Sequence, residues 1–375
     1  MKIFKQHPLI GLLFLMLAAT VLSACTSTTT GLNPLAGAAG EGVTPEATTQ
    51  ATEPVDVAPT ATPIPAPTGH IVFVSSRDGQ MELYMTTPDG LEIVRLTANA
   101  SEDITPRLSP DGTRIAFTST VDNNTDIYVL DIASGNVTRI TNAPEKDSAP
   151  SWSPDGQWLA FESFRDDNFE IYIASADGAN QIRLTNDPSA DSTPVWSPVA
   201  NEIIFVTGRF GNSDLMRVDT NGSLSTLTTN PNPDNSPVWS PDGSFIAFQS
   251  FADDLSNLCI VGRDGLNQRC LTSLPEKYAI PSWSPNGSQL AATLQHSTGR
   301  SIHLFNVVDG SLQELSAPGI NPHGTVTWSS DGLRMAFQAE TNGDMELVSL
   351  LLLTNEFTQI TWSPGYDGEP IWMEQ

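Results

Sequence analysis

Five aspartates, Asp103, Asp147, Asp191, Asp234 and Asp367, each stand three residues before a proline at one phase of a repeating sequence. Carboxylates held at one height of a regular scaffold can attract a basic peptide segment or a divalent cation. The same short acids can instead cap backbone N–H groups of their own loops. Glu102, Glu145, Asp187, Glu276 and Glu369 lie in the same segments and make that face acidic under either reading. Two late segments break the pattern, one with Pro322 and His323 and the other with Trp362, Tyr366 and Asp367. Exposed aromatics there would serve recognition, or would pack on a neighbouring repeat. No loop has the Asp-x-Asp-x-Asp-Gly spacing of a calcium site, so calcium would be structural at most and no cofactor is expected. His70, His296, His303 and His323 are spread along the chain, and no Gly-x-Ser-x-Gly nucleophile elbow occurs. No catalytic residue and no metal ligand is assigned, and a binding protein rather than an enzyme is expected.

The elements that position these residues follow from a period. Trp152, Trp196, Trp239, Trp283, Trp328 and Trp372 recur every 43 to 45 residues, and Leu108 holds the same place one period earlier. A serine and a tight turn follow most of these anchors, as in Ser153 to Gly156. Proline sets φ at the second turn position and glycine tolerates the fourth, so Ser-Pro-Asp-Gly predicts a type I turn. Each turn leads into an apolar strand such as Leu159 to Phe161, then a strand marked by Tyr84, Tyr128, Tyr172, Met216, Cys259, His303 or Val348. A fourth ends on Leu or Ile before Thr or Ser. Four short strands per unit describe a propeller blade, with the tryptophans filling the space between blades.

There are seven anchors and seven second strands. The first unit lacks an anchor strand, and the chain ends on an orphan one at Ile371 to Met373. The expected fold is therefore all-β: a seven-bladed propeller of four-stranded antiparallel blades over residues 69–375, closed by the C-terminal strand pairing into the first blade. With the anchor strand innermost and running downward, the Ser-Pro-Asp-Gly turns and those at Asp89, Asp177 and Asp264 lie on the bottom. The five aspartates then ring the channel mouth on the top. The phrases Pro150 to Phe161, Glu170 to Tyr172 and Arg183 to Thr185 resemble the TolB-type propeller repeat, a relative of WD repeats found in bacterial envelope proteins. That resemblance implies a propeller with a habit of binding. Where the family carries an amino-terminal α/β domain a disordered tether is expected here, and seven blades are expected in place of the six of TolB proper.

The amino terminus reads as an address. Lys2 and Lys5 precede an apolar run from Leu9 to Leu22, too short to span a bilayer of roughly 30 Å but suited to a signal peptide. Leu22, Ser23, Ala24 and Cys25 resemble the lipobox of bacterial lipoproteins, which implies cleavage after residue 24 and lipidation of Cys25. Residues 25–68 are rich in Thr, Ala, Pro and Gly and are expected to form a disordered linker. Cys259 and Cys270 flank Asp264 and Gly265 symmetrically, so a hairpin would face them for a disulfide. A net charge of -26 argues against nucleic acid. The expected protein is a monomer outside the cytoplasm, anchored to a membrane through lipid, binding an envelope protein or peptide at its top face. A carbohydrate-binding or metal-dependent oligosaccharide-processing propeller is the alternative.

Overall fold

Seven short sheets follow one another along the chain, six of them built from strands that are sequence neighbours and the first completed by the last strand of the chain. The computed structural model describes residues 66–374 apart from 166, 273–275 and 298. The signal peptide, Cys25 and the linker to residue 65 lie outside the described residues. In blade two, Glu102–Leu108 is the inner strand, followed by Arg114–Val121, Asn124–Asp131 and the outer Val137–Arg139, all antiparallel. Blades three, four, five and seven repeat this order. Blade six departs from it. Its inner strand is split into Lys277–Tyr278 and Ser282–Trp283, which pair with one second strand on either side of Ala279, Ile280 and Pro281.

Closure occurs as the orphan strand predicts. Asp367–Met373 pairs antiparallel with His70–Ser75, placing Trp372 opposite Ile71. Gly69 sits at this joint with φ +85°, where a Cβ would lie 2.2 Å from the Met373 carbonyl oxygen, so only glycine fits.

The turns explain why the strands begin where they do. In Ser109 to Gly112 the serine hydroxyl donates to Asp111 Oδ1 at 2.5 Å and accepts the Arg114 N–H at 3.0 Å, while the Gly112 N–H reaches the Ser109 carbonyl at 2.9 Å. The same serine–carboxylate bond holds the turns at Asp155, Asp242 and Asp331. These hydroxyl bonds pull the Asp111, Asp155 and Asp242 carboxyls below their usual range. The acids of these turns are turn formers.

The core lies between blades. Phe73, Phe117, Phe161, Phe205, Phe248 and Phe337 repeat on the second strands and are fully buried. Each repeating tryptophan is at most 8% exposed and bridges two blades. Trp152 donates its indole N–H to the Arg107 carbonyl at 2.9 Å, and Trp239 donates to Val195 at 3.1 Å, each carbonyl lying on the preceding inner strand. Cys259 and Cys270 face one another across the blade-five hairpin and are disulfide-bonded.

Deleting residues 367–375 removes the inner strand of blade one and leaves the His70–Ser75 edge of that blade open. The melting midpoint measured by calorimetry is expected to fall by about 10 °C or more. An unchanged melt would mean that the ring does not depend on this joint.

Candidate functional site

The five aspartates begin their inner strands at the height the repeat predicts, but they do not form a collar open to solvent. Asp103, Asp147, Asp191 and Asp234 have no exposed surface, and Asp367 is 1% exposed. Their partners are mostly side chains. Arg165 Nη2 donates to both Asp147 oxygens at 2.9 and 3.1 Å, Arg77 donates to Asp367 at 2.9 Å, and Arg209 donates to Asp191. These arginines come from the hairpin after each second strand. Their guanidinium groups lie over the rings beneath, Arg165 at 4.5 Å from the Tyr172 centroid and Arg77 at 4.9 Å from Tyr84. Blades two and five use an asparagine from the preceding loop, Asn99 to Asp103 at 2.8 Å and Asn230 to Asp234 at 2.7 Å. Burial raises the Asp103, Asp191 and Asp234 carboxyls above their usual range.

A second ring of carboxylates, not singled out from the sequence, lies further out. Glu82, Asp126, Glu170, Asp214 and Glu346 lie at or near the start of their third strands and are nearly or fully buried. Each accepts a threonine hydroxyl from beyond the outer strand, Thr97 to Glu82 and Thr185 to Glu170 both at 2.6 Å. The threonine oxygens in turn accept the Leu83 and Ile171 N–H groups, at 3.0 and 2.9 Å. Arg95, Arg139 and Arg183 add ion pairs to Glu82, Asp126 and Glu170. Arg-x-Thr is therefore one device, both residues reaching the carboxylate at or near the start of the preceding strand. The acid thirteen residues before that arginine was the available signal.

The remaining predicted top-face residues are half-buried. Tyr366 lies in the seam of blades seven and one, its hydroxyl donating to Gln338 Oε1 at 3.0 Å and its N–H to Ser76 Oγ at 2.9 Å. Burial pushes its phenol up to about 12. His323 lies on the inner strand of blade seven, with Nε2 4.0 Å from Glu340, and burial lowers its pKa. Trp362, in contrast, is 73% exposed. The histidines are less scattered than their sequence positions suggest, because His296 and His303 share blade six.

The inner strands surround a cavity of about 550 Å³, lined by Pro150, Pro194, Pro237 and Pro281 and by strand hydroxyls such as those of Ser151 and Ser236. The one charged side chain among the described lining residues is Arg107. Just before Pro106, Pro150, Pro194, Pro237 and Pro370, the residues Thr105, Ala149, Thr193, Ser236 and Glu369 are left-handed, with φ between 50° and 55°. The register shifts at each of these points. Some of the freed N–H groups meet side chains of neighbouring blades: Thr193 donates to Glu162 at 2.9 Å and Glu369 donates to Gln338 at 2.9 Å. Such a wall offers backbone groups, apolar surface and one cation, and among the described residues no acid–base pair lines it.

Burial and the adjacent Asp367 raise the Glu346 carboxyl to about 7. Its folded value lies above the unfolded one, so its stabilising contribution is complete below the unfolded value of about 4.3 and is lost as pH rises through about 7. Buried aspartates with raised values act in the same direction. Melting temperature is expected to fall by a few degrees between about pH 5 and 8. Glu346→Gln, which keeps an acceptor for Thr361, should flatten that slope. An unaltered slope would assign the effect elsewhere.

Comparison with known proteins agrees with this architecture. The family model of the TolB beta propeller domain matches residues 68–254 and 224–375. A protein TolB homolog of Chlorobaculum tepidum is 52% identical over 46 residues, which is 12% of this chain and 11% of that protein. A second, from Chlorobium luteolum, is 51% identical over 47 residues, again 12% and 11%. The matched segment thus spans about a tenth of these curated relatives. Among solved structures, TolB from Acinetobacter baumannii is similar in fold, with 20% identity, a TM-score of 0.56, and coverage of 83% of this chain and 68% of that one.

Proposed function

Because the chain belongs to the TolB beta propeller domain family, we propose that it is a lipid-anchored propeller of the cell envelope that binds a peptide segment of another envelope protein at its channel mouth. The observation that supports this reading is the central cavity. Its walls combine prolines, hydroxyls and strand backbone from several blades, a surface suited to an extended polypeptide. The polarity differs from the acidic collar expected at first. With the aspartates buried and Arg107 exposed in the channel, a carboxylate of the bound segment is the complementary group. Binding rather than catalysis is favoured because the carboxylates beside the channel are engaged by arginine, asparagine and backbone N–H groups.

A photo-crosslinking residue at Ser236, on the cavity wall, should capture one envelope protein. The same residue at exposed Asn286, on a bottom turn, should not. Arg107→Glu should reduce capture by about tenfold, as loss of a partly desolvated ion pair would. Equal capture from both positions would overturn the assignment of the channel mouth.

The anchor rests on Leu22 to Cys25. Several acyl chains hold a protein on a bilayer far more firmly than one, at about 0.8 kcal/mol per buried methylene. Cys25→Ala should move the protein from the membrane pellet to the soluble fraction, and a variant that still pellets would remove the anchor from the proposal.

A further inference from the structure

Blade six replaces a constellation that three other blades share. In blades one, three and four, an arginine from the hairpin after the second strand joins the buried inner-strand aspartate and lies over the ring at the end of the core. In blade six, register places Tyr278 where Asp147 stands and His303 where Tyr172 stands. His296 occupies the arginine position. The cross-strand partner changes as well. Tyr84, Tyr128 and Tyr172 face Arg95, Arg139 and Arg183, whereas Cys259 faces Cys270 in blade five and His303 faces Glu314 in blade six.

The result is a group of two imidazoles and a carboxylate, each offering a ligand atom within 4.8 Å of the other two. His303 is 6% exposed, and its Nδ1 is 3.2 Å from the Tyr278 hydroxyl. Its buried Nε2 has no hydrogen-bond partner. A buried ring nitrogen without a partner is costly unless something fills its lone-pair direction. His296 Nε2 lies 3.6 Å from Glu314 Oε1 and 2.7 Å from Ser301 Oγ, and the two imidazole centroids are 5.8 Å apart.

We propose that His296, His303 and Glu314 form a binding site for a divalent transition-metal ion of the zinc type, on blade six and outside the channel. Bonds of about 2.0–2.2 Å to nitrogen and oxygen fit these donors after sub-ångström to ångström shifts of His296 and Glu314. Both have room to move, since their side chains are 33% and 54% exposed. The Tyr278 hydroxyl would fix the orientation of the His303 ring, as outer-shell partners of metal-bound histidines do. Three protein ligands, two of them partly exposed, leave a fourth position for water. Two neutral imidazoles and one carboxylate carry a single negative charge, suited to a borderline ion more than to calcium or magnesium, which prefer oxygen donors.

The full chain, stripped with chelator, is titrated with zinc in excess magnesium, and bound metal is counted by mass spectrometry after gel filtration. One zinc per chain is expected, and cobalt in its place should show visible d–d absorption. Glu314→Gln and His296→Gln should each weaken zinc binding by about tenfold or more. Both change accessible side chains, so an unchanged melt in chelator confirms the fold of each, while His323→Gln should leave zinc affinity unaltered. Less than half an equivalent of zinc, or affinity undiminished in both variants, would overturn the site.

Discussion

A propeller closes only if its last inner strand finds its first blade, and the rest of this structure depends on that one pairing. Asp367–Met373 meets His70–Ser75 across nearly 300 residues of sequence. The seam is then held by other means. Trp372 donates its indole N–H to the Thr68 carbonyl at 3.2 Å, its backbone N–H reaches Thr327 Oγ1 at 3.0 Å, and Arg77 reaches Asp367. Every other blade receives its inner strand from adjacent sequence, so only this joint carries a large loop-closure cost. In return, the two edges that would otherwise invite pairing with another chain are satisfied internally.

Closure also dictates what can lie at the centre. Inner strands converging on one axis must bend, and in five of the seven blades the bend is taken by a bulge just before the repeated proline. Five non-glycine residues adopt left-handed backbone there, including two threonines, at about 1 kcal/mol or more each. Such strain persists only where neighbours hold it. Side chains from second strands supply the restraint: Glu162 accepts from Thr193, Gln338 accepts from Glu369, and Thr118 shares a hydroxyl bond with Thr105. The bulge also turns the strand start. Upstream of it the aspartates face into the blade, downstream the tryptophans fill the gap between blades, and the proline and its neighbours are left to line the channel.

That turn explains what could and could not be read from the sequence. The period, the Ser-Pro-Asp-Gly turns, the terminal orphan strand and the Cys259–Cys270 pair are local or counted features, and each appears in the fold as expected. The height of the five aspartates was legible too. Their direction was not, because strict alternation along a strand fails at a bulge, and nothing in a single repeat marks where the extra residue lies. The partners of these acids were equally hidden: Arg165 is 18 residues from Asp147 and meets it through two strands. His296 and His303 looked unrelated at seven residues apart until the Gln295–Arg300 register folded them onto one hairpin.

The use of positive charge gives the channel its character. In a chain with 17 basic and 43 acidic residues, cations are scarce. Arg77, Arg95, Arg139, Arg165, Arg183 and Arg209 are all committed to carboxylates of their own blades. Removing any one would leave a buried acid uncompensated, so these arginines are held by the fold and not free to serve a ligand. Arg107 differs. It donates to the neighbouring Pro106 carbonyl at 2.8 Å and otherwise projects into the central cavity, while Glu369, whose charge acts on it, is engaged by the Thr105 N–H at 2.8 Å. The outer surface of so acidic a molecule repels anions, while the channel wall keeps one guanidinium accessible. An anionic group reaching the channel would therefore leave a repulsive exterior for the one place where the lining attracts it, and Arg107 would fix its depth.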